Sequence, residues 1–194
     1  MDRIKQLVLP EVADGALITS DINRRYFTGM KSSAGMLLIF KECAYLIIDF
    51  RYIEKARNTV KNCTVMEQEN LTEQINSLMK KHNAKSLAVE SMDMTLSRMS
   101  FLEKKFPDIE FIKSDELSNN IYDMRTIKST EEIEKIHKAQ KIAEKAFDEI
   151  LGFIRPGVTE REIALKLDNC MLENGAEGLS FETIALAGAN TSMP

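Results

Sequence analysis

The chain has 194 residues, enough for one large domain or for one complete domain and part of a second. Apolar residues make up 44% and charged residues 29%, the balance of a chain that packs a core rather than of a disordered or fibrous one. Thirty acidic side chains against 26 lysines and arginines give a formal charge of −4, a field that repels a phosphate backbone and argues against nucleic acid as a partner.

Asp2, Arg3 and Lys5 lead only into Leu7-Val8-Leu9-Pro10, too short for the apolar segment of a secretory signal, so the expected compartment is the cytoplasm. Three short runs follow, "GALITS" from Gly15, "GMLLIF" from Gly35 and "AYLIIDF" from Ala44. Each is rich in branched apolar residues and bounded by turn formers, the pattern of buried strands. Only Lys41-Glu42-Cys43 separates the last two, which predicts a hairpin. The same charges interrupt the longest apolar run well short of the about 20 residues that span a bilayer, so no membrane partner is expected. Further strands are expected at "CTVME" (Cys63), "SLAVE" (Ser86) and "IEFI" (Ile109).

Between them, Leu71, Ile75, Leu78 and Met79 share one helix face, and Leu96, Met99 and Leu102 share another. Strands alternating with helices predict an α/β fold, and the hairpin makes its central sheet mixed rather than wholly parallel. From Lys113 to Thr126 the texture changes, and a domain boundary is expected there. Ser129-Thr130-Glu131-Glu132 and Thr159-Glu160-Arg161-Glu162 are capping boxes, each opening a helix. The first carries Ile133, Ile136, Ala143, Phe147 and Ile150 on one stripe and stops near Gly152; the second carries Ile163, Leu167, Cys170 and Met171 and stops at Asn174-Gly175. "FETIALA", from Phe181, reads as a strand running into a Gly-Ala-Asn-Thr-Ser loop.

Signatures of chemistry are sparse. Cys43, Cys63 and Cys170 are widely spaced and are expected to be free, buried or half-buried thiols. His82 and His137 have no histidine partner at zinc spacing and are each expected to be a surface or half-exposed helical histidine. There is no nucleophile elbow, no Walker loop and no Gly-rich dinucleotide turn.

In order along the chain, "DINRRYFTGMKSSAGMLLIF", "AYLIIDFRYIEKA", "LAVESMDMTLSRMSFLEK", "MRTIKSTEEIEKIHKAQKIAEKAF" and "IRPGVTEREIALKLDNCMLENGAEGLSFETIALAGANTSMP" resemble the Xaa-Pro peptidases, the aminopeptidase P and prolidase group of the pita-bread metallopeptidases. The resemblance covers essentially the whole chain. It implies a creatinase-like N-terminal domain over residues 1–125, a mixed sheet flanked by helices, followed over residues 126–194 by the opening helices and strand of an incomplete α+β pita-bread domain. It also implies hydrolysis of the bond preceding proline in a peptide substrate by two divalent metals, manganese, cobalt or zinc, held by two aspartates, a histidine and two glutamates. None of those five ligands has a counterpart here, so this chain is expected to bind no metal, to carry no catalytic residue and to be inactive by itself. The loop "AGANTSMP" corresponds to one that in relatives continues directly into an active-site histidine.

In related enzymes the N-terminal domain forms homodimers and reaches the neighbouring subunit's active-site mouth. That implication makes Tyr26 and Arg51 substrate-proximal candidates, an aromatic ring and a guanidinium suited to an apolar side chain and a carboxylate. The competing expectation is that Tyr26 packs on the sheet and Arg51 pairs with a nearby acid. For the chain as a whole, the alternative to an enzyme's N-terminal part is a non-catalytic creatinase-like binding or dimerisation module.

Overall fold

The structure, a computed structural model, describes residues 2–193. It divides into two compact units between Ile127 and Lys128. In the first, six strands form one sheet: β1 (Gly15–Ile18), β2 (Met36–Phe40), β3 (Ala44–Ile48), β4 (Thr64–Glu67), β5 (Ser86–Val89) and β6 (Glu110–Ile112). Their spatial order is β4-β3-β2-β1-β5-β6. β2 pairs antiparallel with β1 and β3, as the hairpin requires, while the pairs β1–β5, β3–β4 and β5–β6 are parallel.

Every residue of β1, β2, β3 and β5 is buried, because helices cover both faces. Alternation along the strands sorts the side chains. Ala16, Ile18, Leu37, Ile39, Leu46, Ile48 and Ala88 face one layer, formed by α1 (Arg3–Gln6), α2 (Asp21–Thr28), α3 (Ile53–Thr59) and α6 (Glu116–Thr126), whose Ile4, Phe27, Ala56, Leu117 and Ile121 complete that core. Leu17, Leu38, Phe40, Tyr45, Ile47, Leu87 and Val89 face α4 (Leu71–Lys81) and α5 (Leu96–Lys105), which contribute Ile75, Leu78, Met79, Met99 and Leu102. Leu96 departs from the expected stripe: at the first position of α5 it is 88% exposed, one turn short of the sheet. The stretch read from its texture as a junction is largely α6, whose Leu117 and Ile121 are buried in the first unit.

Polar groups tie α2 to the sheet. Ser20 caps α2, its hydroxyl accepting from the Asn23 amide at 3.2 Å. Glu90, fully buried just beyond β5, faces the same helix end: one carboxylate oxygen accepts from the Thr19 and Ser20 amides, the other from Asn23 Nδ2 at 2.7 Å. A negative charge beside the N-terminus of a helix is favourable, so Glu90, the residue after β5, holds the chain that leads into α2. Gly35, just ahead of β2, has φ +119°, a region few L-residues enter, and a Cβ there would lie 3.1 Å from the Ile47 carbonyl oxygen.

The second unit holds α7 (Thr130–Leu151) and α8 (Glu160–Glu173), each opened by the capping box read from the sequence. The helices pack through Ala146, Ile150 and Cys170, the buried apolar residues among those described in this unit. Asn174 Nδ2 reaches the Cys170 carbonyl at 2.8 Å and Glu149 Oε1 at 3.3 Å, joining the end of α8 to α7. Phe181–Ala187 pairs with no strand, against the expectation of β structure there. A strand exists only where another backbone accepts and donates along it, and the helix pair offers none. The loop after it is a 3-10 turn over Gly188–Ser192, held by Glu160, which accepts from the Ala187 amide at 2.7 Å and from Asn190 Nδ2. Among the described residues no helix is long and apolar enough to cross a membrane.

Candidate functional site

The "NRRY" segment of α2 divides its side chains between structure and surface. Asn23 and Arg24 are buried. Asn23 bridges Glu90 and Arg125, accepting from Arg125 Nη1 at 3.0 Å. Arg24 donates to the Thr19 and Ser32 carbonyls and to Asp21 Oδ1 at 2.7 Å, while its Nε has no hydrogen-bond partner. This guanidinium therefore clamps the start of α2 to the loop that precedes β2.

One turn on, Tyr26 is half-buried against the α6 layer. Its hydroxyl donates to the Met124 carbonyl at 2.9 Å, its ring meets Phe27 edge-on, and the Arg3 guanidinium lies 4.3 Å from its centroid. Arg51, in the turn after β3, is exposed. Its guanidinium grips Asp49, with Nη2 to Oδ2 at 2.6 Å, and holds that carboxyl below the ordinary aspartate range by hydrogen bonding. The two residues are thus engaged in separate contacts, Tyr26 toward α6 and Arg51 toward Asp49.

Beside Arg51 lies an open cleft of about 370 Å³ that the sequence did not single out, lined by Asp21, Ile22, Arg25, Lys31, Ser32, Ser33, Tyr52 and Lys55. Tyr52 closes one side. Its hydroxyl lies 2.8 Å from Ser33 Oγ, and that hydrogen bond is the main reason its phenol sits below the ordinary tyrosine range. The Arg51 guanidinium lies 5.4 Å from the Tyr52 ring, so Arg51 flanks the cleft. Of the four charged residues lining it, three are cations, and the anion, Asp21, is already bound to Arg24. Together with the exposed Ile22 side chain, the wall suits a carboxylate joined to a small apolar group. Its cations, Arg25, Lys31 and Lys55, are spread over 31 positions of the chain and meet around Ser32 and Ser33 only where α2, the loop before β2 and α3 come together, so no local sequence signal marks it.

The described residues contain no group of three or more His, Cys, Asp or Glu side chains placed to share an ion. The donor set present among them therefore does not fit a two-metal centre.

The sequence matches the creatinase/prolidase N-terminal domain over residues 1–127 and metallopeptidase family M24 over residues 134–194. An uncharacterized peptidase of Bacillus subtilis, YqhT, is 33% identical over 195 residues, a match covering all of this chain and 54% of that protein. Among solved structures, an Xaa-Pro dipeptidase from Bacillus anthracis superposes with a TM-score of 0.80 at 34% identity, over 87% of this chain and 47% of that one. An X-Pro aminopeptidase from Thermotoga maritima gives 0.82 at 31% identity, over 93% and 51%. The chain spans about half the length of the relatives it matches. By the family match over residues 1–127 and the structural superpositions, this chain belongs to the creatinase/prolidase family of Xaa-Pro peptidases, carrying that family's N-terminal domain and a segment of its M24 region.

Proposed function

We propose that this chain is the N-terminal part of a metal-dependent Xaa-Pro peptidase, aminopeptidase P or prolidase, that hydrolyses the peptide bond preceding proline. In this reading residues 1–125 are a creatinase-like domain and residues 126–194 open the catalytic domain. Two divalent cations, when bound by the complete enzyme, would supply a water acidic enough to attack as hydroxide near neutral pH. Manganese, cobalt and zinc are the candidate ions, their ligands are not among the residues of this chain, and the 194-residue chain alone is inactive.

The observation that carries this reading is the pair of family matches in succession, read together with the bare apolar faces of α7 and α8. Ile133, Ile136, Phe147, Leu165 and Leu172 are each 46–57% exposed, and Ile184 and Phe181 beyond them more so. A helix pair that buries little beyond Ala146, Ile150 and Cys170 has apolar surface to spare, and further catalytic-domain chain is the occupant that the relatives' greater length supplies. The N-terminal unit's role is assembly and substrate approach. It forms a homodimer and presents Tyr26, Arg51 and the cationic cleft toward a proline-containing peptide in the neighbouring subunit, in the cytoplasm.

The test uses two proteins. The purified 194-residue chain, given manganese, cobalt or zinc, releases no amino acid from Xaa-Pro or Xaa-Pro-Yaa peptides. The complete reading frame that contains it, expressed and loaded with the same ions, does. Hydrolysis by the short chain refutes its inactivity, and failure of the complete protein on every Xaa-Pro peptide refutes the peptidase reading and favours a binding module.

A further inference from the structure

At the opposite end of β3 from Arg51, four side chains with reactive chemistry converge outside the cleft. Cys43, in the hairpin turn, is half-buried, and His82, the C-cap of α4, is half-buried beside it. Cys43 Sγ lies 3.5 Å from His82 Nε2 and 3.9 Å from Nδ1. The imidazole is fixed from two sides: it stacks on Phe40 with centroids 4.4 Å apart, and its Nε2 is 2.9 Å from the Tyr45 hydroxyl. That hydroxyl accepts from Lys81 Nζ at 3.0 Å and lies 3.7 Å from Cys43 Sγ. Lys41 and Glu42, exposed, precede Cys43 in the turn.

We propose that Cys43 is a peroxide-sensitive modification site, its thiol oxidised to a sulfenic acid by small hydroperoxides with His82 as the proton acceptor. The Sγ proton passes to the Tyr45 oxygen as the Tyr45 hydroxyl proton passes to Nε2, so the imidazole ends with the proton. The thiolate sulfur attacks one peroxide oxygen, an S–O bond forms, the O–O bond breaks, and the departing hydroxide or alkoxide takes the proton from Nε2. Sulfur is oxidised, the peroxide is reduced to water or alcohol, and the atoms balance. Lys81, held above the ordinary lysine range chiefly by its hydrogen bond to the Tyr45 oxygen, supplies a positive neighbour for the thiolate and the leaving oxyanion.

The other two thiols are internal controls. Burial pushes the Cys63 thiol up to about 11, and Cys170, fully buried, is also raised by burial with Glu149 beside it. Neither has a histidine contact among the hydrogen bonds of the described residues. Sheet geometry also denies Cys43 a resolving partner in its own unit. Cys63 packs with the α1–α3 and α6 layer while Cys43 packs with the α4–α5 layer, so the two project to opposite faces. A sulfenic acid at Cys43 would persist until an external small thiol condenses with it, forming a mixed disulfide and releasing water.

The experiment exposes the intact chain to substoichiometric hydrogen peroxide in the presence of a sulfenic-acid-trapping 1,3-dione, and follows each cysteine peptide by mass spectrometry. Cys43 is expected to label roughly tenfold or more faster than Cys63 and Cys170, and His82→Gln to remove most of that advantage. Lys81→Met, at an exposed position that leaves folding intact, is expected to slow Cys43 labelling several-fold. Equal rates at the three cysteines, or a Cys43 advantage untouched by both substitutions, overturn the proposal. If His82→Gln does not fold, the ranking in the unaltered chain and the Lys81→Met rate still decide it.

Discussion

Replacing Glu90 by alanine is the sharpest probe of how α2 is held. In the native unit its two carboxylate oxygens accept from the Thr19 amide, the Ser20 amide and Asn23 Nδ2. Thr19 and Ser20 are half-exposed, so water can reach their amides once the carboxylate is gone, whereas Asn23 is 4% exposed and keeps only Asp93 at 3.2 Å as an acceptor for that amide. Charge-assisted bonds of this kind are worth more than neutral ones, and a buried donor left without its partner costs its desolvation as well. Summing these for a partly hydrated site gives about 2–4 kcal/mol of destabilisation. Glu90→Gln retains one acceptor oxygen and should cost about half as much. All four tyrosines, Tyr26, Tyr45, Tyr52 and Tyr122, lie in the first unit and the chain has no tryptophan, so tyrosine fluorescence in urea reports this unit's unfolding alone. The midpoint is expected to fall by about 1–2 M in Glu90→Ala at unchanged slope. A midpoint within experimental error of the native one, or Glu90→Gln proving worse than Glu90→Ala, would refute the reasoning.

Gly35→Ala places a Cβ at φ +119° and 3.1 Å from the Ile47 carbonyl, a strain of about 1–3 kcal/mol that should lower the first unit's thermal midpoint; an unchanged midpoint in a melt followed by tyrosine fluorescence would count against it. Asp14 is held below the ordinary aspartate value of 3.8, first by the Lys85 amide at 2.7 Å and then by hydrogen bonds from Ser86. Because its folded value is depressed, its contribution is complete above the ordinary aspartate range and is lost as pH falls through the folded value; the native chain should therefore exceed Asp14→Asn in urea midpoint at pH 7, with the gap closing as pH falls below the ordinary aspartate value, and a gap that widens on acidification contradicts the sign. The proposed function predicts that Arg51→Ala in the complete protein raises KM for short Xaa-Pro peptides by roughly tenfold, the worth of one charge-assisted contact. The exposed Asp49 pair makes little difference to stability, so an unchanged KM would leave Arg51 with that pairing alone.

Much of this architecture is legible in the residues before any coordinates are consulted. The six strands declare themselves as short apolar runs between turn formers, and the three-residue gap at Lys41-Glu42-Cys43 makes β2 and β3 antiparallel neighbours. Ser129 with Glu132 and Thr159 with Glu162 mark the starts of α7 and α8, because a capping box is written within four consecutive residues and needs nothing distant. The family resemblance rests likewise on local motifs in a fixed order.

What the chain could not reveal locally are the contacts that join distant segments. Glu90 ends a buried strand as one more acid in a charged sequence, and only the parallel pairing of β1 with β5 carries it to the head of α2, some 70 residues away. Arg25, Lys31 and Lys55 line one cleft only because the fold brings α2, the loop before β2 and α3 together. Cys43 and His82, both read as unremarkable singly, meet because the turn of the hairpin lies against the end of α4. Periodicity and caps are properties of neighbours in sequence, so the sequence determines them by itself. Charge clusters and reactive pairs depend on which chain ends the sheet order brings together, and tertiary structure alone decides that.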